Sequence, residues 1–266
     1  MGRLRIYTLN EKYFANLDTS NKNYILGFIY ADGSVFKNYL SITVQIGDID
    51  VLEFIKKELS YSGPIYNKKT YCTLTISSKK ICDDLINLGI IQNKTYLSKN
   101  LPRYNTKYLN SFFLGFFDGD GSIYKSSKIN LYEYTINFTC NISVLTEIKN
   151  ILYSYNISSS KIRKRYKNDI SCMLDIKGSL NLEKIFNLFY TEKPDYYFKR
   201  KYDKFIEFKK SLGFMTKRKF NDTLISEIKT MYLDNIKQTE IAKKLNIKPS
   251  SIRCVIQRLR KHNEIN

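Results

Sequence analysis

The sequence predicts an α+β protein: two pseudo-symmetric α-β-β-α-β-β-α repeats followed by a small all-α unit. Three observations carry this. The segment YILGFIYADGSV (residues 24–35) recurs as FFLGFFDGDGSI (residues 112–123), and such a repeat sets the architecture before any local pattern is read. Each copy is followed by segments in which apolar and polar residues alternate, the period of a half-buried strand. Between those strands stand apolar residues at helical spacing, closed by a residue that stops a helix.

In chain order, residues 22–32 form an apolar helix ending at Gly33. LSITVQI (40–46) puts Leu40, Ile42, Val44 and Ile46 on one face and Ser41, Thr43 and Gln45 on the other. Asp48 is placed to N-cap a helix carrying Val51, Leu52, Ile55 and Leu59. A hairpin at 64–68 and 70–77 turns Cys72, Leu74 and Ile76 inward and Tyr71, Thr73 and Thr75 outward, and a helix over 79–88 stops at Gly89. Residues 91–107 read as a polar linker. The second copy repeats the plan: a helix over 108–120, then a strand in which Ile136, Phe138 and Cys140 alternate with Thr135, Asn137 and Thr139. A helix at 143–155, a hairpin through 161–167 and 171–177 and a helix near 180–190 complete it. The run KSLGFMTKRKF from Lys210 reads as a basic linker, and residues 222–233 as a helix. The expected domains are therefore residues 1–100, 101–212 and 213–266.

Lys and Arg outnumber Asp and Glu by 44 to 25, a net charge of +19. That excess points to a polyanion, because each neutralised phosphate releases condensed counterions. No apolar run approaches the length of a membrane span, so nucleic acid is the better reading than a lipid surface. The five cysteines are odd in number and widely spaced, without a CxxC pair. Disulfides and zinc sites are not expected, and a reducing intracellular compartment is. The N-terminus lacks the apolar stretch of a secretory signal. A single histidine, His262, excludes mechanisms built on a His-containing triad.

Both motif helices are apolar almost all round and carry a central glycine, Gly27 and Gly115. Glycine inside a helix costs about 1 kcal/mol relative to alanine; close approach of two helix backbones would offset that. If the two helices pack together, Asp32 and Asp120 meet at their C-terminal ends. A carboxylate there is unfavourable, because that end carries partial negative charge. The pairing makes sense if divalent cations sit between the carboxylates and phosphate oxygens.

The two segments resemble the paired motifs of LAGLIDADG homing endonucleases in their single-chain, two-repeat form, over about residues 20–210. The resemblance implies a saddle of two antiparallel sheets lying on double-stranded DNA, which is cut at a long asymmetric site by a monomer using Mg2+ and no small-molecule cofactor. It makes Asp32 and Asp120 the metal-binding acids, with the carbonyls of Ala31 and Gly119 beside them. The first motif departs from the second in having Tyr30 where Asp118 stands, a position that is not the metal ligand. Members of the family place a basic residue near each metal; Lys94 and Lys201 are the candidates, with Lys199 as an alternative to Lys201. The polar sheet faces would enter the major groove. They comprise Ser34, Lys37, Ser41, Thr43, Gln45, Lys68, Lys69, Tyr71, Thr73 and Thr75 in the first half. In the second they comprise Ser122, Tyr124, Lys125, Thr135, Asn137, Thr139, Arg163, Arg165 and Lys167. The same scaffold also serves catalytically inert transcription regulators and intron maturases.

QTEIAKKLNIKPSSIRCVIQRLRKH, beginning at Gln238, resembles a helix-turn-helix. Ala242 permits close helix contact, and Ile241, Leu245, Ile247, Ile252 and Val255 supply a shared core. Asn246 suits a left-handed turn, and Pro249 suits the first turn of a helix. That helix would present Lys248, Ser250, Ser251, Arg253, Gln257 and Arg258 to DNA.

Overall fold

The computed structural model describes residues 6–91, 100–125, 134–164, 166, 171–219 and 222–261; for 212–219, 222 and 261 only the backbone is described. Lys94, Arg165, Lys167 and His262 lie outside the described residues. Two compact units divide between Phe208 and Lys209.

The first unit contains both repeats. Its first half runs α1 (Ser20–Asp32), β1 (Gly33–Phe36), β2 (Tyr39–Gln45), α2 (Ile49–Glu58), β3 (Ile65–Asn67), β4 (Tyr71–Ser77) and α3 (Lys79–Leu88). The second runs α4 (Leu109–Asp120), β5 (Gly121–Lys125), β6 (Tyr134–Cys140), α5 (Ile142–Ser154), β7 (Arg163–Lys164), β8 (Cys172–Lys177) and α6 (Ser179–Tyr190). The two four-stranded antiparallel sheets share one order, β1-β2-β4-β3 and β5-β6-β8-β7. The predicted α-β-β-α-β-β-α order thus stands twice.

Local signals explain most boundaries. Thr19 caps α1, its hydroxyl accepting from the Lys22 N–H, and the Ser78 hydroxyl and the Asn141 carboxamide oxygen cap α3 and α5 in the same way. Gly89 ends α3 at φ 104°, a left-handed conformation that favours glycine. On β2, Leu40, Ile42 and Val44 are buried against the helices, as are Cys72, Leu74 and Ile76 on β4. Ile46 departs from the predicted strand: it opens a short 3-10 turn and is exposed. The core beneath the sheets is aromatic, with Phe112, Phe113, Phe116, Phe117, Phe138, Phe189, Phe205 and Phe208 all fully buried.

Three further expectations are corrected. Asp48 stands at the start of α2, but its side chain makes no capping bond. It accepts instead from Nε and Nη2 of Arg200, both at 2.9 Å, because a guanidinium matches both carboxylate oxygens at once. Cys140, whose place in the apolar row of its strand predicts a buried thiol, is only half-buried at the strand's end. The run from Lys210 is not a linker: it continues α7 (Lys199–Lys219), a single helix of 21 residues. Its Lys, Arg, Leu and Met residues are good helix formers, so a basic composition does not interrupt it.

The second unit carries α8 (Asp222–Leu233), α9 (Gln238–Lys244) and α10 (Pro249–Lys261). Their core is Ile228, Ile241, Ala242, Ile252, Val255, Ile256 and Leu259, with Leu245 and Ile247 packed at its edge. The turn between α9 and α10 takes Asn246 to φ 51°. Among the described residues no helix is long and apolar enough to cross a membrane, and Cys72, Cys82, Cys140, Cys172 and Cys254 are free thiols.

Candidate nuclease site and nucleic-acid interface

Helices α1 and α4 pack backbone against backbone. A Cβ built on Gly27 would lie 2.1 Å from the Phe112 carbonyl oxygen, and one on Gly115 would lie 2.0 Å from that of Tyr24. Only glycine admits this approach. The contact continues to the helix ends, where a Cβ on Gly119 would meet Ala31 Cβ at 2.2 Å and Asp32 Oδ2 at 3.3 Å. Asp32 therefore stands beside the last turn of the helix that ends in Asp120, and neither acid is buried.

Beneath this pair lies a polar group that sequence reasoning did not anticipate. Asp118 is buried, and its Oδ2 accepts from the Tyr24 hydroxyl at 2.8 Å and from the Phe198 N–H at 2.9 Å. Its Oδ1 is buried without a hydrogen-bond partner. Burial lifts the Asp118 carboxyl to about 6, against the opposing pull of Lys201. Lys201 is buried too, and its ammonium donates to the carbonyls of Phe117 (2.6 Å), Asp118 (2.7 Å) and Gly121 (2.6 Å). Phe117 and Asp118 lie in the last turn of α4 and Gly121 follows it, the Phe117 carbonyl also accepting from the Gly121 N–H; the cation opposes the negative end of the helix dipole. An ammonium has three N–H bonds, so all of Lys201's donors are used. Burial holds it down to about 8, with Asp118 pulling the other way. Lys199 points elsewhere, pairing with Asp203 at 2.7 Å on the exposed side of α7. Tyr30, which replaces the first-half counterpart of Asp118, is buried and donates its hydroxyl to the Asn100 carbonyl.

The segment between α6 and α7 returns from the second half onto the first. Asp195 and Asn21 exchange two hydrogen bonds (3.0 and 2.9 Å), Tyr196 stacks on Phe54 at 5.1 Å, and Phe198 meets Phe28 edge-on. Arg200 then grips Asp48. The aromatic run at 196–198 has no helical or strand period, so its role as a strap was not legible beforehand.

The outward faces of the two sheets differ. On the first, Ser34, Lys37, Thr43, Gln45, Lys68, Lys69 and Tyr71 are exposed, and Ser41, Thr73 and Thr75 half-buried. Thr43 and Thr73 join hydroxyls across the strands at 2.9 Å. On the second, Tyr124, Lys125 and Arg163 are exposed and Ser122 and Thr139 half-buried, but Thr135 and Asn137 are buried. The solvated polar row expected on β6 is therefore interrupted. Asn137 is drawn into hydrogen bonds with Asp175 and Thr139 on the same face. Lys248, just before α10, and Ser250, Arg253, Gln257 and Arg258 on it are exposed, and Ser251 is half-buried.

Residues 107–189 match the family model described as a LAGLIDADG-like domain. Comparison with curated protein sequences gives no match. Among solved structures, the I-LtrWI LAGLIDADG homing endonuclease bound to target DNA aligns with 76% of this chain and 92% of its own, at 19% identity and a TM-score of 0.51. The meganuclease I-SmaMI bound to uncleaveable DNA aligns with 79% and 96%, at 14% identity and a TM-score of 0.53. The fold is that of the LAGLIDADG homing endonucleases. I-GzeII, a LAGLIDADG homing endonuclease in complex with its DNA target, agrees at 14% identity, 79% and 96% coverage and a TM-score of 0.51. The LAGLIDADG arrangement accounts for the paired helices, the two matching sheets and the acids at one end.

Among the described residues no group of three or more His, Cys, Asp and Glu is gathered to hold a metal ion. The donors at the helix ends nonetheless fit Mg2+, a hard cation that takes one or two carboxylates and completes its shell with water and phosphate oxygens.

Proposed function

We propose that this chain is a site-specific endonuclease that hydrolyses both strands of a DNA duplex. The observation that carries the reading is the glycine-mediated contact of α1 and α4, which sets Asp32 beside the helix ending in Asp120. Asp32 and Asp120 would hold divalent ions, with the carbonyls of Ala31 and Gly119 beside them. Such ions lower the pKa of a bound water and neutralise charge on the phosphate. The chain's own part is positional. Lys201 holds the end of α4 and so aims Asp120; with its three N–H bonds on carbonyls, it acts through that backbone and not on the phosphate. Lys94 remains a candidate for contact with the phosphate. That I-SmaMI has been captured on uncleaved DNA with calcium ions and on cleaved DNA supports this reading by likeness of fold.

The outward sheet faces would lie in the major groove, and the net charge of +19 would supply affinity for the backbone. The three-helix unit is read as a helix-turn-helix that adds a second DNA contact through α10, since Asn246 and Pro249 shape the turn as that motif requires. Incubating the purified chain with a randomised duplex library and Mg2+, then sequencing the ends, tests the function. Cleavage at one defined sequence is expected. Specific binding with no cleavage at any metal concentration would favour the inert regulator instead.

A further inference from the structure

The outward face of the second sheet carries an acid that a DNA-binding surface has no evident use for. Asp175 on β8 pairs with Asn137 on β6, while Met173 pairs with both Thr139 and Arg163, so these side chains share one face. Asp175 Oδ1 accepts from Asn137 Nδ2 at 2.6 Å, and Oδ2 accepts from Arg163 Nη2 at 2.9 Å. Asn137 Oδ1 in turn accepts the Thr139 hydroxyl at 2.9 Å. Despite burial, these bonds from Arg163 and Asn137 hold the Asp175 carboxyl below the usual carboxylate range. The backbone is fixed as well: the Asp175 N–H donates to Ser160 Oγ, and the Ser160 N–H donates to the Asp175 carbonyl.

This network is closed at one end and open at the other. The Asp175 side chain is 6% exposed, whereas that of Arg163 is 52% exposed. Arg163 uses Nη2 on Asp175 and sets Nη1 3.6 Å from Met173 Sδ. A guanidinium carries five N–H donors in a rigid plane, so donors remain for a further partner, in a plane that the carboxylate orients. The first sheet has nothing comparable. Strand register puts Tyr66 where Arg163 stands, Thr75 where Asp175 stands and Ser41 where Asn137 stands.

We propose that Arg163 reads a guanine in the half-site under the second sheet, held in its reading pose by Asp175. The inference rests on the reading of these faces as DNA-binding. Guanine is the base whose major-groove edge offers two adjacent acceptors, N7 and O6, to a planar pair of N–H donors. A carboxylate facing phosphates would weaken binding; one committed to an arginine instead fixes that arginine's plane. Lysine is a point charge without that plane and does not substitute for it.

The test is sequence selection from a randomised duplex library by the full-length chain, comparing wild type with Arg163→Gln, Arg163→Lys and Asp175→Asn. Wild type is expected to enrich guanine at one position of one half-site. Both Arg163 variants are expected to lose that preference about 10-fold to 100-fold at that position alone, and Asp175→Asn to relax it while retaining the arginine. If Arg163→Gln weakens all sequences alike, Arg163 is a phosphate contact, and if Arg163→Lys keeps the full preference, the plane fixed by Asp175 is not what reads the base; either result overturns the proposal. Thermal melting of each variant separates loss of fold from loss of reading. If wild type itself selects no sequence, it is the DNA-binding function that fails, a different result from a selective wild type with indifferent Arg163 variants.

Discussion

At the residue scale, Asp32→Asn and Asp120→Asn are each expected to abolish cleavage while leaving duplex affinity within a few-fold of wild type. Removing Mg2+ should act like either substitution, since among the described residues no histidine or thiolate cluster is gathered to bind another metal. Single-turnover cleavage beside a filter-binding titration checks this; wild-type cutting in either variant would remove the acid from the site. Lys201→Met removes the ammonium from three carbonyls, of which that of Phe117 keeps the Gly121 N–H, and leaves Asp118 without its neighbouring cation. Breaking a buried charge pair from one side costs about 3–5 kcal/mol. Adding Asp118→Asn should recover part of that loss, because the residual buried charge is then gone. A double-mutant cycle in urea reads the coupling, and strict additivity would show that the two groups do not interact. The acids at the helix ends were legible from the repeat alone. The burial of Lys201 was not, since nothing local distinguishes it from its neighbours in KRKYDKF.

At the scale of elements, the contact between α1 and α4 is the joint of the molecule. Gly27→Ala and Gly115→Ala would each place a methyl group within about 2 Å of a carbonyl oxygen on the facing helix. Neither backbone can yield without separating the helices, so each change should destabilise by about 2–4 kcal/mol, at or above the usual range for overpacking. Gly47→Ala, which meets nothing within 4 Å, is the control and should be near neutral. Thermal or urea unfolding decides; equal melting of all three variants would contradict the close packing. The strands were legible because alternation reports burial on one face. The continuation of α7 through residues 210–219 was not, because an exposed basic helix and a basic linker share a composition.

At the scale of the whole molecule, the boundary between the two compact units falls within α7. Phe205 and Phe208 belong to the core of the first unit, so a truncation must keep α7 intact. Deleting residues 220–266 is expected to weaken specific binding by about 10²-fold, because a tethered second contact is effectively intramolecular. The salt dependence should flatten as fewer phosphates are neutralised, while the cut position stays unchanged. Footprinting and a salt titration of the truncated chain check this. Unchanged affinity and slope would show that the three-helix unit is not a DNA reader.

Some of this protein is determined by the sequence alone. The twofold repeat, the strand faces, the stop at Gly89, the turn at Asn246 and the meeting of the two glycine helices depend on period, or on a backbone that few residues tolerate. Both are properties of a short stretch of chain. Tertiary structure alone decided that Asp48 pairs with Arg200, that Lys201 caps α4 from within the core and that Asp175 anchors Arg163. Each of these is a polar group whose partner lies on another strand or helix. A charged side chain carries no period that names its neighbour, so only the packing of the elements brings the partners together.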